Sequence, residues 1–80
     1  KILLMDDEET IRTFLDQALT RSGYDVEPCT EGKEAVEIYK KAMESKDPFD
    51  VAILDLTSKV GMGGQETMRR LLEIDPDVKG

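Results

Sequence analysis

The chain has 80 residues, enough for at most one small domain, and 18 acidic against 11 basic side chains give it a formal charge of −7. That charge argues against direct binding to nucleic acid or to an anionic membrane surface, and no run approaches the roughly 20 apolar residues of a membrane span. The absence of histidine and the single cysteine, Cys29, argue against zinc, haem and iron–sulfur sites, exclude an intrachain disulfide and fit a reducing compartment. A metal here would need oxygen ligands, hence Mg, Mn or Ca.

The apolar run Ile2-Leu3-Leu4-Met5 reads as a first strand, and it runs straight into Asp6-Asp7. A helix follows from about Glu8 to Arg21, with Ile11, Phe14, Leu15, Ala18 and Leu19 on one apolar face. Glu8 and Glu9 suit its positive N-terminus, Arg21 suits its end, and Gly23 stops it. Tyr24 to Pro28 reads as a second strand, with Tyr24 and Val26 alternating against Asp25 and Glu27; Pro28 makes it an edge strand. Thr30 is the expected cap of a second helix that runs to about Ser45. Its apolar face holds Ala35, Ile38, Tyr39, Ala42 and Met43, and Lys46-Asp47-Pro48 breaks it.

The third strand, Val51-Ala52-Ile53-Leu54, is short, apolar and rich in β-branched residues, as in a strand buried on both faces, and it ends on Asp55. A loop over 56–63 leads to a third helix from about Gly64 to Ile74, expected to bury Met68, Leu71 and Leu72 before Pro76 ends it. Val78-Lys79 looks like the approach to a fourth strand. Strict alternation of strand and helix argues for a parallel sheet with right-handed crossovers. No repeat, low-complexity segment or linker interrupts it.

Asp6 and Asp7 can be read as helix caps and Asp55 as a turn residue, since acids are abundant here. Their shared position, directly after apolar strands, carries more. Ligands in open parallel sheets sit beyond the carboxyl ends of the strands, and neighbouring strands lie about 4.8 Å apart. Three carboxylates converging there repel one another unless a cation neutralises them, which points to a divalent metal.

With these motifs in place, the chain resembles the receiver domain of two-component response regulators. Leu3-Leu4-Met5-Asp6-Asp7-Glu8, Ile53-Leu54-Asp55-Leu56, Gly23-Tyr24-Asp25-Val26, Gly32-x-Glu34-Ala35 and Gly61-Met62-Gly63-Gly64 carry the likeness. Gly63-Gly64-Gln65-Glu66-Thr67 and Leu71-Leu72-Glu73-Ile74-Asp75-Pro76-Asp77 look most like receivers attached to hybrid sensor histidine kinases. The resemblance implies an α/β, flavodoxin-like (CheY-like) doubly wound parallel sheet, of which residues 1–80 are the N-terminal βαβαβα part. It implies that Asp55 is the phosphoacceptor for a histidine kinase or phosphotransfer domain. Asp7 would bind Mg2+ directly, Asp6 mostly through water, and Thr57 through its backbone carbonyl. Such a domain phosphorylates itself from its partner rather than turning over a substrate. The expected location is the cytoplasm, including the cytoplasmic part of a membrane-anchored sensor kinase.

Two features depart from the family pattern. The Thr or Ser after strand four and the Lys after strand five fall beyond Gly80, and Lys59 is no substitute. The loop Thr57-Ser58-Lys59-Val60-Gly61 lacks the usual proline. Alternative readings are a receiver-like protein-interaction module that is never phosphorylated, and a Mg-dependent aspartyl phosphohydrolase. The latter usually carries Asp-x-Asp rather than adjacent acids. The acidic first loop argues against a flavin-phosphate cradle. Thr10, Ile11 and Phe14, on the first helix, are the candidate partner-binding residues, with Phe14 also expected in the core. Without a fourth strand, the third strand is an apolar edge, so residues 1–80 are expected to pair through it, swap elements with a second copy, or be partly molten.

Overall fold

The computed structural model describes residues 1–55 and 63–79. Its elements are β1 (Ile2–Met5), α1 (Glu9–Arg21), β2 (Val26–Cys29), α2 (Gly32–Glu44), β3 (Val51–Leu54) and α3 (Gly64–Ile74). The strands form one parallel sheet in the order β2-β1-β3. All four residues of β1 are buried. Leu3 and Met5, two apart and therefore on one face, join Cys29, Ala52, Ala35, Tyr39, Ala42, Phe49 and Leu71 in the main core beneath α2 and α3. Ile2 and Leu4 point the other way, under α1, which packs against β1 and β2.

Helix ends follow from local chemistry. α1 closes in a Schellman turn: the N–H of Tyr24 donates to Leu19 O at 3.1 Å and that of Gly23 to Thr20 O at 3.0 Å, with Gly23 at φ 96°. α2 ends the same way, but on Lys46 at φ 60°, a left-handed position taken by a residue with a Cβ. The start of α2 differs from expectation. Glu31, not Thr30, is the cap, its carboxylate accepting from the N–H of Lys33 at 3.0 Å. Thr30 instead donates its hydroxyl to Glu34 at 2.6 Å, which holds the Glu34 carboxyl below its usual range.

Other expectations shift for reasons of cover. β2 begins at Val26, and Tyr24 lies exposed, because residues 22–24 are used by the Schellman turn. In β3 only Ala52 is fully buried. Val51 and Ile53 pair with Ile2 and Leu4, so they share the α1 face, and α1 packs over β1 and β2 rather than over β3. In α3 Leu71 is completely buried, whereas Leu72 is 44% exposed and Met68 half-buried. Thr67 takes the buried place on that helix, with its hydroxyl donating to Gly63 O at 2.8 Å. Phe14 is 62% exposed, not in the core. The apolar stripe of α1 is wider than the strip of sheet beneath it.

Phe49, ahead of β3, is buried and stacks on Tyr39 with ring centroids 5.8 Å apart. The Tyr39 hydroxyl donates to Asp75 at 2.7 Å, tying α2 to the end of α3. Beyond that end the chain returns to the sheet: the Ala52 N–H donates to Lys79 O at 2.7 Å on the outer edge of β3. This agrees with Val78-Lys79 approaching a fourth strand position.

Two outcomes are expected. Leu71→Ala should cost about 2–5 kcal/mol, the usual range for a fully buried leucine, and Leu72→Ala less than about 1 kcal/mol, measured by urea unfolding of the natural full-length protein. Residues 1–80 in isolation should self-associate through β3 or unfold without cooperativity, since so small a sheet buries little surface. Sedimentation at low micromolar concentration tests this; a cooperative monomer stable by about 5 kcal/mol or more would contradict it.

Candidate functional site

The register of the sheet builds the site. Met5 pairs with Cys29 on one side and Leu54 on the other. The ladder then continues one residue further: the Asp55 N–H donates to Met5 O at 3.0 Å and the Asp6 N–H to Cys29 O at 3.1 Å. Asp6, Asp7 and Asp55 therefore leave the same edge of the sheet, and one carboxylate oxygen from each lies within 4.8 Å of the others. Asp6 is buried, while Asp7 and Asp55 are half-buried. Carboxylates this close repel one another wherever both are ionised.

Asp6 is held at both its side chain and its backbone. Its Oδ1 accepts from the Glu8 N–H at 2.9 Å, and its backbone carbonyl accepts from Arg12 Nη1 at 2.8 Å. The capping reading of Asp6 is thus correct in part: it orders the entry to α1, whose cap residue Glu8 makes no side-chain cap bond. The site remains a cluster of oxygen donors, all hard ligands, and suits an oxygen-coordinated divalent cation such as Mg2+ better than a thiophilic metal. Thr57, assigned a metal-binding carbonyl, lies outside the described residues, as does most of the 56–63 loop. Thr10, Ile11 and Phe14 lie along α1, all exposed, Ile11 by 44%.

Sequence reasoning missed Arg12 and Cys29. Helical side chains lean toward the N-terminus, so an arginine in the first turns can reach the loop before its own helix; that is the signal that could have found Arg12. Cys29 carries none, because its contribution is a backbone carbonyl.

The comparisons with known proteins identify the family and the fold. Residues 2–79 match the response regulator receiver domain family. The response regulator receiver protein CpdR of Brucella abortus is 38% identical over 79 residues, 99% of this chain and 61% of CpdR. The chemotaxis protein CheY of Thermotoga maritima is 32% identical over 80 residues, 99% of this chain and 62% of CheY. The receiver domain of the histidine kinase CKI1 from Arabidopsis thaliana, solved in complex with Mg2+ and BeF3−, superposes with a TM-score of 0.81 at 26% identity, covering 94% of this chain and 56% of that one. The three parallel strands and three helices are the N-terminal part of a CheY-like flavodoxin fold. The chain belongs to the response regulator receiver family of two-component systems, and it spans about three fifths of the length of these two curated relatives. Among the described residues no helix is long and apolar enough to cross a membrane.

Burial pushes the Cys29 thiol up to about 12, with the Glu34 and Glu27 carboxylates adding to the effect. The folded thiol therefore keeps its proton where an unfolded one loses it. Stability should fall as pH rises between the ordinary thiol value of 9.0 and about 12. A maleimide at pH 7.5 should label Cys29 only after unfolding. Rapid native labelling would contradict the burial of this strand end.

Proposed function

We propose that this segment accepts a phosphoryl group onto Asp55 from a phosphohistidine on a histidine kinase or phosphotransfer domain, with Mg2+ held by Asp6, Asp7, Asp55 and the Thr57 carbonyl. The observation that carries the reading is the convergence of three carboxylates at the ends of β1 and β3, in a receiver-family chain. A relative named sporulation initiation phosphotransferase F, from Bacillus subtilis and 30% identical over 79 residues, fits a place in phosphoryl transfer. So does the Mg2+ in the CKI1 receiver complex.

An Asp55 oxygen attacks phosphorus as the bond to the imidazole nitrogen breaks, and the electron pair leaves with the imidazole. Asp55 becomes an acyl phosphate. Bound Mg2+ would neutralise phosphoryl oxygens that otherwise repel the carboxylate. Asp7, half-buried, is available as a direct ligand. One oxygen of Asp6 is already committed to the Glu8 N–H, so a contribution through water suits it better. On α1, the exposed Thr10, Ile11 and Phe14 offer the partner a small apolar contact.

In the natural full-length protein, a small acyl phosphate should label Asp55 alone, and Asp55→Asn should abolish incorporation with the fold intact. Mg2+ should shift the backbone amides of residues 5–8 and 55–58 selectively, and Asp7→Asn should weaken binding more than Asp6→Asn. Labelling that survives Asp55→Asn, or a titration that moves no amide in either stretch, would sink the reading.

A further inference from the structure

We infer that Arg12 is a positioning residue for the acidic site, acting on Asp7 through the peptide group between Asp6 and Asp7. The inference rests on the metal reading above. Arg12 sits half-buried on α1, and its Nη1 donates to the Asp6 carbonyl at 2.8 Å. That carbonyl belongs to the planar unit that carries the Asp7 nitrogen and Cα. Whatever fixes the plane also fixes where the Asp7 side chain starts. The other ties on Asp6 act elsewhere: its N–H is held by Cys29 O, and its carboxylate by the Glu8 N–H. Arg12 is the side chain that governs the step from Asp6 to Asp7.

Its charge pulls in the opposite direction. A guanidinium on the Asp6 carbonyl brings a positive charge toward the acidic cluster, and by itself would compete with a cation. The two roles make opposite predictions. If charge dominates, removing it tightens Mg2+ binding. If positioning dominates, removing it weakens binding, because Mg2+ tolerates little departure from octahedral geometry. Positioning is the stronger role here. The hydrogen bond acts directly, at 2.8 Å, on the peptide group that carries Asp7, whereas the charge acts only across space and falls with distance. Lysine cannot replace it, being shorter and lacking the planar fork.

The test uses the natural full-length protein with 15N-labelled aspartate, titrated with Mg2+. Arg12→Met removes charge and donors but keeps the apolar stem; Arg12→Lys keeps the charge. Both should weaken Mg2+ binding, Arg12→Met by about tenfold, the low end for outer-shell partners at metal sites. In both, the Asp7 amide resonance should move without metal present. Tighter Mg2+ binding in Arg12→Met with Arg12→Lys unchanged would assign a charge role and overturn the inference. A lowered urea midpoint with an unmoved Asp7 amide and unchanged affinity would assign a purely structural role and also overturn it. If Arg12→Met does not fold, Arg12→Lys decides alone. A wild-type protein that binds no Mg2+ overturns the metal reading itself. The metal-free Asp7 amide then still reports whether Arg12 sets that peptide group.

Discussion

β1 hydrogen-bonds along both edges, to β2 and to β3, with Met5 opposite Cys29 and Leu54. A strand in that position has no face or edge left for water, which is why its four residues are all apolar and all buried. The same pairing decides what happens one residue later. Asp6 and Asp55 emerge from adjacent strands at the same level, and Asp7 follows within reach. The fold thus brings together groups that repel. Burial of the strands supplies the favourable term, and the carboxylates are carried into proximity at its expense. A cation placed among such a cluster would relieve the repulsion, which is the physical ground for the metal reading proposed above.

That arrangement was largely legible in the residues. Short apolar runs ending in acids and separated by amphipathic helices leave few topologies once parallel strands and right-handed crossovers are assumed. Helix boundaries were also readable where one residue type carries the geometry, as Gly23 does. Three things were not legible, each for a physical reason. Lys46 ends α2 in a left-handed conformation that its side chain gives no hint of. Thr30 and Glu31 compete for the same cap, and the outcome depends on Glu34 drawing the Thr30 hydroxyl to itself. Cys29 acts through its backbone, which no side-chain pattern reports.

Burial was the least readable quantity. Periodicity says which side of an element is apolar, not how much of that side is covered. Phe14 and Leu72 have the right spacing and are exposed, while Thr67, a polar residue, is completely buried. The difference lies in what packs opposite. Thr67 satisfies its hydroxyl on the Gly63 carbonyl of its own helix, so burying it costs little. Phe14 is 62% exposed, with little packed against it. Val51 and Ile53 are half-exposed on the α1 face of the sheet, where α1 packs over β1 and β2 rather than over β3.

Asp6 shows why the structural and chemical readings of a residue need not be rivals. It caps the approach to α1 through Glu8, accepts Arg12 on its carbonyl, extends the sheet through Cys29, and still places an oxygen in the acidic cluster. Each tie removes a degree of freedom from the loop between β1 and α1. A divalent cation with strict geometric demands gains from ligands already immobilised, since the ordering cost was met on folding. Asp7, next in sequence and half-buried, shares a peptide plane with the Asp6 carbonyl that Arg12 holds. On the proposed reading, the first of the two aspartates is fixed by the fold and the second serves the ligand.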